Sequence, residues 1–351
     1  MKKRKTLPAD FNEIAKSGDS EAIKEVFDKC DINAYGGYGK GNALFFLLND
    51  EMMRWCVEQG AEIDYVNQYG YTPLMEHAGH AFAEKQALCL IELGADIGAK
   101  GAFPQRSVLD RAVEAGSINV VKRLKEKGID LNEKGAGDLN ALERALYIAR
   151  PFDIIRIAPI AEYMLENGVA VTVALKEFMT KLGKEIEFYR PDMNSEFTPQ
   201  IDTALDKMYK LLDVEPVPKR VIYDGKSKII IKQKTWQKQH SELWNLLVPG
   251  SGHASTVQGE VIRISGKLGY EILDNGCMNW DAQYRMLVTA LEKYLHMGNV
   301  LDAKEYDELE SIFKGIKNAD EKEINRMSEL SVKWVTKNTD PITLEKTEYT
   351  R

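Results

Sequence analysis

Gly70-Tyr71-Thr72-Pro73-Leu74-Met75-Glu76-His77-Ala78 begins like a capped helix, and Leu90-Ile91-Glu92-Leu93-Gly94-Ala95-Asp96-Ile97 ends like one. Thr72 can accept a hydrogen bond from the first turn, and Pro73 takes the first helical position, where its missing N–H costs nothing. Gly94 stands where a helix stops and a positive φ is wanted. Outward from here the phrase recurs. Its openers are Phe11, Leu44, Leu74, Leu109, Leu142 and Leu175, at steps of 33, 30, 35, 33 and 33 residues. Its closing glycines are Gly60, Gly94, Gly128 and Gly168, and four residues before them come Cys56, Leu90, Leu124 and Met164. Such a period predicts stacked helical units, because a unit this short cannot bury its own apolar side and must lean on its neighbours.

The Gly-x-Thr-Pro-Leu opening, the inter-helix Gly116 and the closing Gly94-Ala95-Asp96 resemble the ankyrin repeat. The resemblance covers residues 7–172 and continues in weaker form to 213. It implies an all-α solenoid over residues 1–172, with a degenerate capping helix pair over 173–213. Some phrases depart from the pattern. Asn42-Ala43-Leu44-Phe45-Phe46-Leu47 replaces the Thr-Pro-Leu opening, His77 fills a small-residue position, and the fifth unit carries extra residues around Ala149-Arg150-Pro151-Phe152. Thr198-Pro199 is expected to repeat the cap-plus-proline start.

Residues 214–234 read as linker and β-hairpin. Val214-Glu215-Pro216-Val217-Pro218 cannot continue a helix, and two β-prone runs flank Asp224-Gly225, the favoured signal of a tight hairpin. Seven Lys or Arg against one Asp in residues 219–238 are read as solvating an exposed edge. Residues 235–351 predict five amphipathic helices in a compact bundle. Ser255 with Gln258 is the expected capping box of the second, and Asp302 with Glu305 and Asp320 with Glu323 mark the last two starts. Leu243-Trp244-Asn245-Leu246-Leu247-Val248-Pro249 and Asn279-Trp280-Asp281 loosely resemble an uncharacterised bacterial helical domain, which implies no activity.

The formal charge of -7 argues against sequence-independent nucleic-acid binding. Pro8, Asp10, Asn12 and Glu13 follow the basic Lys2-Lys3-Arg4-Lys5 where a signal peptide needs an apolar run, no apolar run approaches membrane length, and Cys30, Cys56, Cys89 and Cys277 lack metal-ligand spacing. A cytoplasmic, non-enzymatic protein without cofactor or metal is expected, a monomer by default. The ankyrin resemblance implies a partner held on the concave face, by its inner helices and by the loop tips. Here they carry Tyr35, Tyr38, Tyr65, Tyr69 and Tyr71, then Phe103 and Arg106. Tyrosine offers large contact area with little rotamer entropy to lose; the competing reading is that these rings only pack loop on loop. The leading expectation is therefore capture of a protein partner, with an immunity-type inhibitor as its narrower form. The alternative is an enzyme or small-ligand binder built on residues 250–263, where His253, Ser255, Thr256, Glu260 and Arg263 surround a helix N-terminus able to receive an anion. His77 and His80 share a helix face without a partner motif for a metal.

Overall fold

The computed structural model describes residues 2–102 and 105–351. The chain divides into two compact units, Met1–Glu185 with Ser195–Val217, and Ile186–Asn194 with Pro218–Arg351. Sixteen α-helices and one two-stranded sheet are present among the described residues.

In the first unit β1 (Arg4–Thr6) pairs in parallel with β2 (Cys30–Tyr35), and α1 (Phe11–Ser17) and α2 (Ser20–Lys29) lie between them in sequence. Next come α3 (Asp50–Glu58), α4 (Pro73–Ala78), α5 (Glu84–Glu92), α6 (Val108–Ala115), α7 (Ile118–Glu126), α8 (Ala141–Ile148) and α9 (Ile154–Glu166). α10 (Val173–Tyr189) and α11 (Thr198–Leu212) follow. α3 packs on α5, α5 on α7 and α7 on α9, while α4 packs on α6 and α6 on α8.

The recurring phrase has a recurring physical outcome. All six openers are buried, from Phe11 to Leu175. Cys56, Leu90, Leu124 and Met164 are fully buried as well. The glycines four residues later have φ of 92°, 93°, 95° and 92°. In each closure the next residue's N–H returns to the carbonyl of the buried residue: Ala61 to Cys56 at 2.9 Å, and Ala95 to Leu90, Ile129 to Leu124 and Val169 to Met164 at 3.0 Å. This is the six-to-one bond of a Schellman stop, which satisfies carbonyls that the helix end would otherwise leave open. Unit is tied to unit by polar reach. His77 Nε2–H donates to Leu44 O at 2.8 Å, Arg111 Nε to Met75 O at 3.0 Å and Ser117 Oγ to Ala78 O at 3.1 Å.

Thr72 caps α4 with Pro73 in the first turn, as its sequence predicts. In the second phrase the helix fails: residues Ala43–Phe45 form only a 3-10 turn capped by the Asn42 side chain, although Ser107 and Asn140 start full helices without a proline. α11 begins one residue early: Thr198 is already helical, Phe197 occupies the N-cap position, and Pro199 lies in the first turn. Cys56 is enclosed by apolar neighbours, and burial pushes its thiol up to about 12. All four cysteines are free, and no helix among the described residues is long and apolar enough to cross a membrane.

The second unit contains α12 (Trp236–Leu247), α13 (Val257–Gly269), α14 (Ala282–Leu295), α15 (Ala303–Gly315) and α16 (Glu321–Lys337). α13 packs against α12, α14 and α16, and α15 against α16. Asp302 and Asp320 form the expected capping boxes with Glu305 and Glu323.

The expected β-hairpin is absent. Asp224 does make a tight turn, accepting from the Lys226 and Ser227 N–H groups at 2.8 and 2.7 Å, and with the Ser227 hydroxyl these donors hold its carboxyl down at about 2. The arms do not pair, because their backbone groups have other partners. Ile229 N–H goes to Thr339 O at 2.8 Å, and Lys232 N–H to the Glu242 carboxylate. Arg220 is no edge solvator either: its guanidinium lies 4.2 Å from the Phe188 ring centroid and donates to the carbonyls of Phe188, Asn245 and Val248.

Two histidines tie stability to pH. His240 stacks on Trp244, has Nε2 3.2 Å from Ser265 Oγ, and is lowered by burial from 6.5 to about 4. Burial also lowers His77. A depressed folded pKa means that the unfolded chain takes up the proton first, so stability is complete above pH 6.5 and lost as pH falls toward 4. His240→Gln is expected to remove on the order of 2 kcal/mol of that loss, after discounting partial exposure. Urea midpoints of both proteins between pH 7.5 and 4 provide the check; parallel curves would show that His240 does not titrate on unfolding.

Candidate functional site

The loop tips of the first unit are fastened to each other by their backbones. In the first, Gly36 N–H donates to Gly41 O at 2.8 Å, closing a turn over residues 37–40. In the second, Asn67 Oδ1 accepts from the N–H groups of Tyr69 and Tyr71 at 2.9 and 3.0 Å. The two are joined by Gln68, whose N–H reaches Gly39 O at 3.0 Å and whose Nε2 reaches Tyr38 O at 2.6 Å. Gly39 lies close to the second loop: a Cβ there would be 3.2 Å from Asn67 Nδ2 and 3.6 Å from the Tyr69 ring, so Asn67 would have to shift by a few tenths of an ångström.

The sequence-selected residues sort into two sets on this frame. Tyr38 is 90% exposed and Tyr69 42%, with ring centroids 5.9 Å apart and planes tilted by 30°. Partial desolvation and the bond to the Tyr38 hydroxyl push the Tyr69 phenol up. Tyr35 is also exposed. Tyr65 and Tyr71 instead pack internally, Tyr65 edge-on to Phe45 and Tyr71 beneath the Arg111 guanidinium at 4.7 Å. Arg106 is held by Glu114 at 2.8 Å. Phe103 lies outside the described residues. A groove of about 600 Å³ runs beside the pair, lined by Asn67, Gln68, Tyr69, Gly70, Tyr71 and Ala102. No charged side chain lines it, so it suits apolar and hydrogen-bonding contacts.

In the second unit His253, Glu260 and Arg263 converge, while Ser255 and Thr256 do not join them. Ser255 is exposed. Thr256, rather than Ser255, caps α13 by accepting from Gly259 N–H at 3.2 Å. The expected capping box fails because Gln258 is turned inward, donating to Asn338 O and Asp340 O at 2.8 and 2.9 Å. The anion received at this turn is the chain's own: Glu260 Oε2 accepts from Ala254 N–H at 3.0 Å and Arg263 Nε at 2.9 Å. Both charged residues are almost fully buried. Burial pushes the Glu260 carboxyl up, but the Arg263 hydrogen bonds and charge, with help from Ala254 N–H and the Tyr349 hydroxyl, bring it below its ordinary value.

His253 Nδ1 lies 3.2 Å from both Glu260 Oε1 and Arg263 Nη2, with Nε2 3.1 Å from Thr347 Oγ1. The imidazole is thus shared at Nδ1 between a carboxylate and a guanidinium and meets a threonine hydroxyl at Nε2. Tyr349 closes the cluster: its hydroxyl donates to Glu260 Oε1 at 2.8 Å and lies 3.0 Å from the Tyr294 hydroxyl. Burial, Tyr294 and the Glu260 charge all push this phenol far up. No protein-family model matches the chain, and no curated protein matches it.

Sequence reasoning missed Thr347, Tyr349, Arg351 and the inward turn of Gln258. One signal was present: Ile262 lies across α13 from the stripe of Val257, Val261, Ile264 and Leu268, and it is equally buried. An apolar residue opposite the apolar stripe marks a helix covered on both sides. His77 and His80 have separate partners, Leu44 O and Glu76.

Proposed function

We propose that this chain is a non-enzymatic interaction protein, an ankyrin-type solenoid followed by a helical bundle, which binds a protein partner through the tyrosine-bearing loop tips of its first unit. The observation that carries this reading is the Tyr38–Tyr69 pair, two neighbouring aromatic rings exposed on loops already locked by backbone hydrogen bonds. Preorganised loops lose little entropy on binding, and tyrosine is enriched where interfaces concentrate their energy. The repeated Schellman closures and the α3–α5–α7–α9 and α4–α6–α8 packing support the solenoid reading.

The test is a photo-crosslinking amino acid placed at position 38, with position 82 as an exposed aromatic control, followed by identification of the crosslinked species. A protein recovered specifically from position 38 is expected. With that partner purified, Tyr38→Ala combined with Tyr69→Ala should weaken binding at least tenfold, the effect of about 1.4 kcal/mol, with Tm nearly unchanged. Equal recovery from both positions, or a large loss of Tm in the double variant, would assign the rings to loop packing.

A further inference from the structure

Residues 338–351 have no helix or ladder of their own beyond the bridge between Thr343 and Thr256, yet they lie in the second unit as an extended peptide lies in a receptor. The main chain of this strap is read at intervals. Gln258 takes the carbonyls of Asn338 and Asp340 and, through Oε1, the N–H of Ile342 at 3.0 Å. Gln283 Oε1 takes the N–H of Thr350 at 2.8 Å, and Arg263 Nη2 donates to Arg351 O at 2.8 Å. Side chains are read as well: Thr347 at His253, Tyr349, buried against Glu260, and Arg351, paired with Asp281 at 2.9 Å. Main-chain bonds for affinity and alternate side-chain pockets for selectivity are how extended peptides are recognised.

The polarity of the contact needs explanation. A cover that only shielded α13 would be built more cheaply from apolar residues, since a buried ion pair is seldom a net gain over well-packed hydrocarbon. Gln258, Glu260 and Arg263 instead make closure conditional on a complementary strand. Arg263 Nη1 is buried without a hydrogen-bond partner, so the present occupant does not exhaust the donors offered. From residue 339 to 351 every residue but Tyr349 is exposed or half-buried, the profile of a segment that opens locally before the fold does.

We propose that the face of α13 and α14 under residues 339–351 is a peptide-recognition groove occupied in cis by the chain's own strap. Its ligand in trans is an extended protein segment bearing a tyrosine followed two residues later by an arginine. This groove is independent of the tyrosine-bearing loop tips.

The test uses the full chain and a fluorescein-labelled peptide with the sequence of residues 339–351, followed by fluorescence anisotropy. In the unsubstituted protein the tethered strap competes at high effective concentration, and weak binding is expected. Tyr349→Ala with Arg351→Ala loosens the strap and should tighten peptide binding at least tenfold. Adding Gln258→Ala, or using a peptide with both anchors changed to alanine, should abolish the gain. Should the double variant lose its helical circular dichroism, Tyr349→Phe applies the same test by removing one hydroxyl. Equal affinity for strapped and loosened protein, or no binding to either, would overturn the proposal. So would Ile342 and Thr350 amides that exchange with solvent only as slowly as those of α13, because a strap that never opens alone cannot be displaced.

Discussion

Arg263→Ala is expected to cost about 3–5 kcal/mol of unfolding free energy, the range for removing one partner of a buried ion pair. Glu260 is fully buried, and Arg263 gives it two of its hydrogen bonds and its only contacting guanidinium. Without that cation, its carboxylate would keep only Ala254 N–H, Tyr349 and the shared His253. The pH dependence should change sign with it. In the parent protein the Glu260 pKa is depressed, so its stabilisation exists above the unfolded carboxyl value and is lost as pH falls through the folded one. In Arg263→Ala burial is opposed only by the Ala254 N–H and the Tyr349 hydroxyl and is expected to raise the carboxyl, so the group favours folding at low pH and loses that contribution as pH rises. Urea unfolding at pH 4.5 and 7.5 should therefore show the variant's deficit shrinking at the lower pH. A constant deficit would mean that Glu260 does not remain charged in the fold. Glu260→Gln combined with Arg263→Met should recover most of the loss, because pairing, rather than charge itself, is what burial demands.

Leu90→Ala should cost about 2–5 kcal/mol. Leu90 is fully buried, and its carbonyl receives the N–H of Ala95 in the closure at Gly94. α5 packs on both α3 and α7, so the void opens in a seam shared by successive helices and cannot be filled by one of them collapsing. Gly94→Ala tests the backbone side of the same closure. Nothing lies within 4 Å of a Cβ at Gly94, but φ there is 93°, so strain of about 1–2 kcal/mol is expected without any clash. Urea midpoints measure both. A loss for Leu90→Ala no larger than for an exposed Leu→Ala would show that the apolar column is not what holds these helices together.

Much of the first unit was legible because its rules are local. A proline at a first helical position, a glycine at a stop and an apolar residue at fixed offset act within a few residues of themselves, and repetition compounds them. Asn42 shows the limit: Asn140 opens the identical Asn-Ala-Leu phrase and caps the full helix α8, whereas the Asn42 side chain serves Leu44 N–H and Glu62 O and only a 3-10 turn results. Among the loop tyrosines composition could not separate exposed from packed. Tyr38 and Tyr71 sit in similar Gly-Tyr contexts, but Arg111, more than thirty residues on, covers only Tyr71.

The sequence by itself determined where most helices begin and end, the column of buried openers and the closing glycines. These follow from backbone conformation and from side-chain spacing along one helix. Only the tertiary structure decided that Asp224-Gly225 turns without pairing its arms, and that the polar side of α13 is interior. Ile229 finds Thr339, Gln258 finds Asn338, and Glu260 finds Tyr349, across separations of 80 residues or more. No helical or strand period reaches that far, so a hydrogen bond made by such partners leaves no pattern in the chain that carries them.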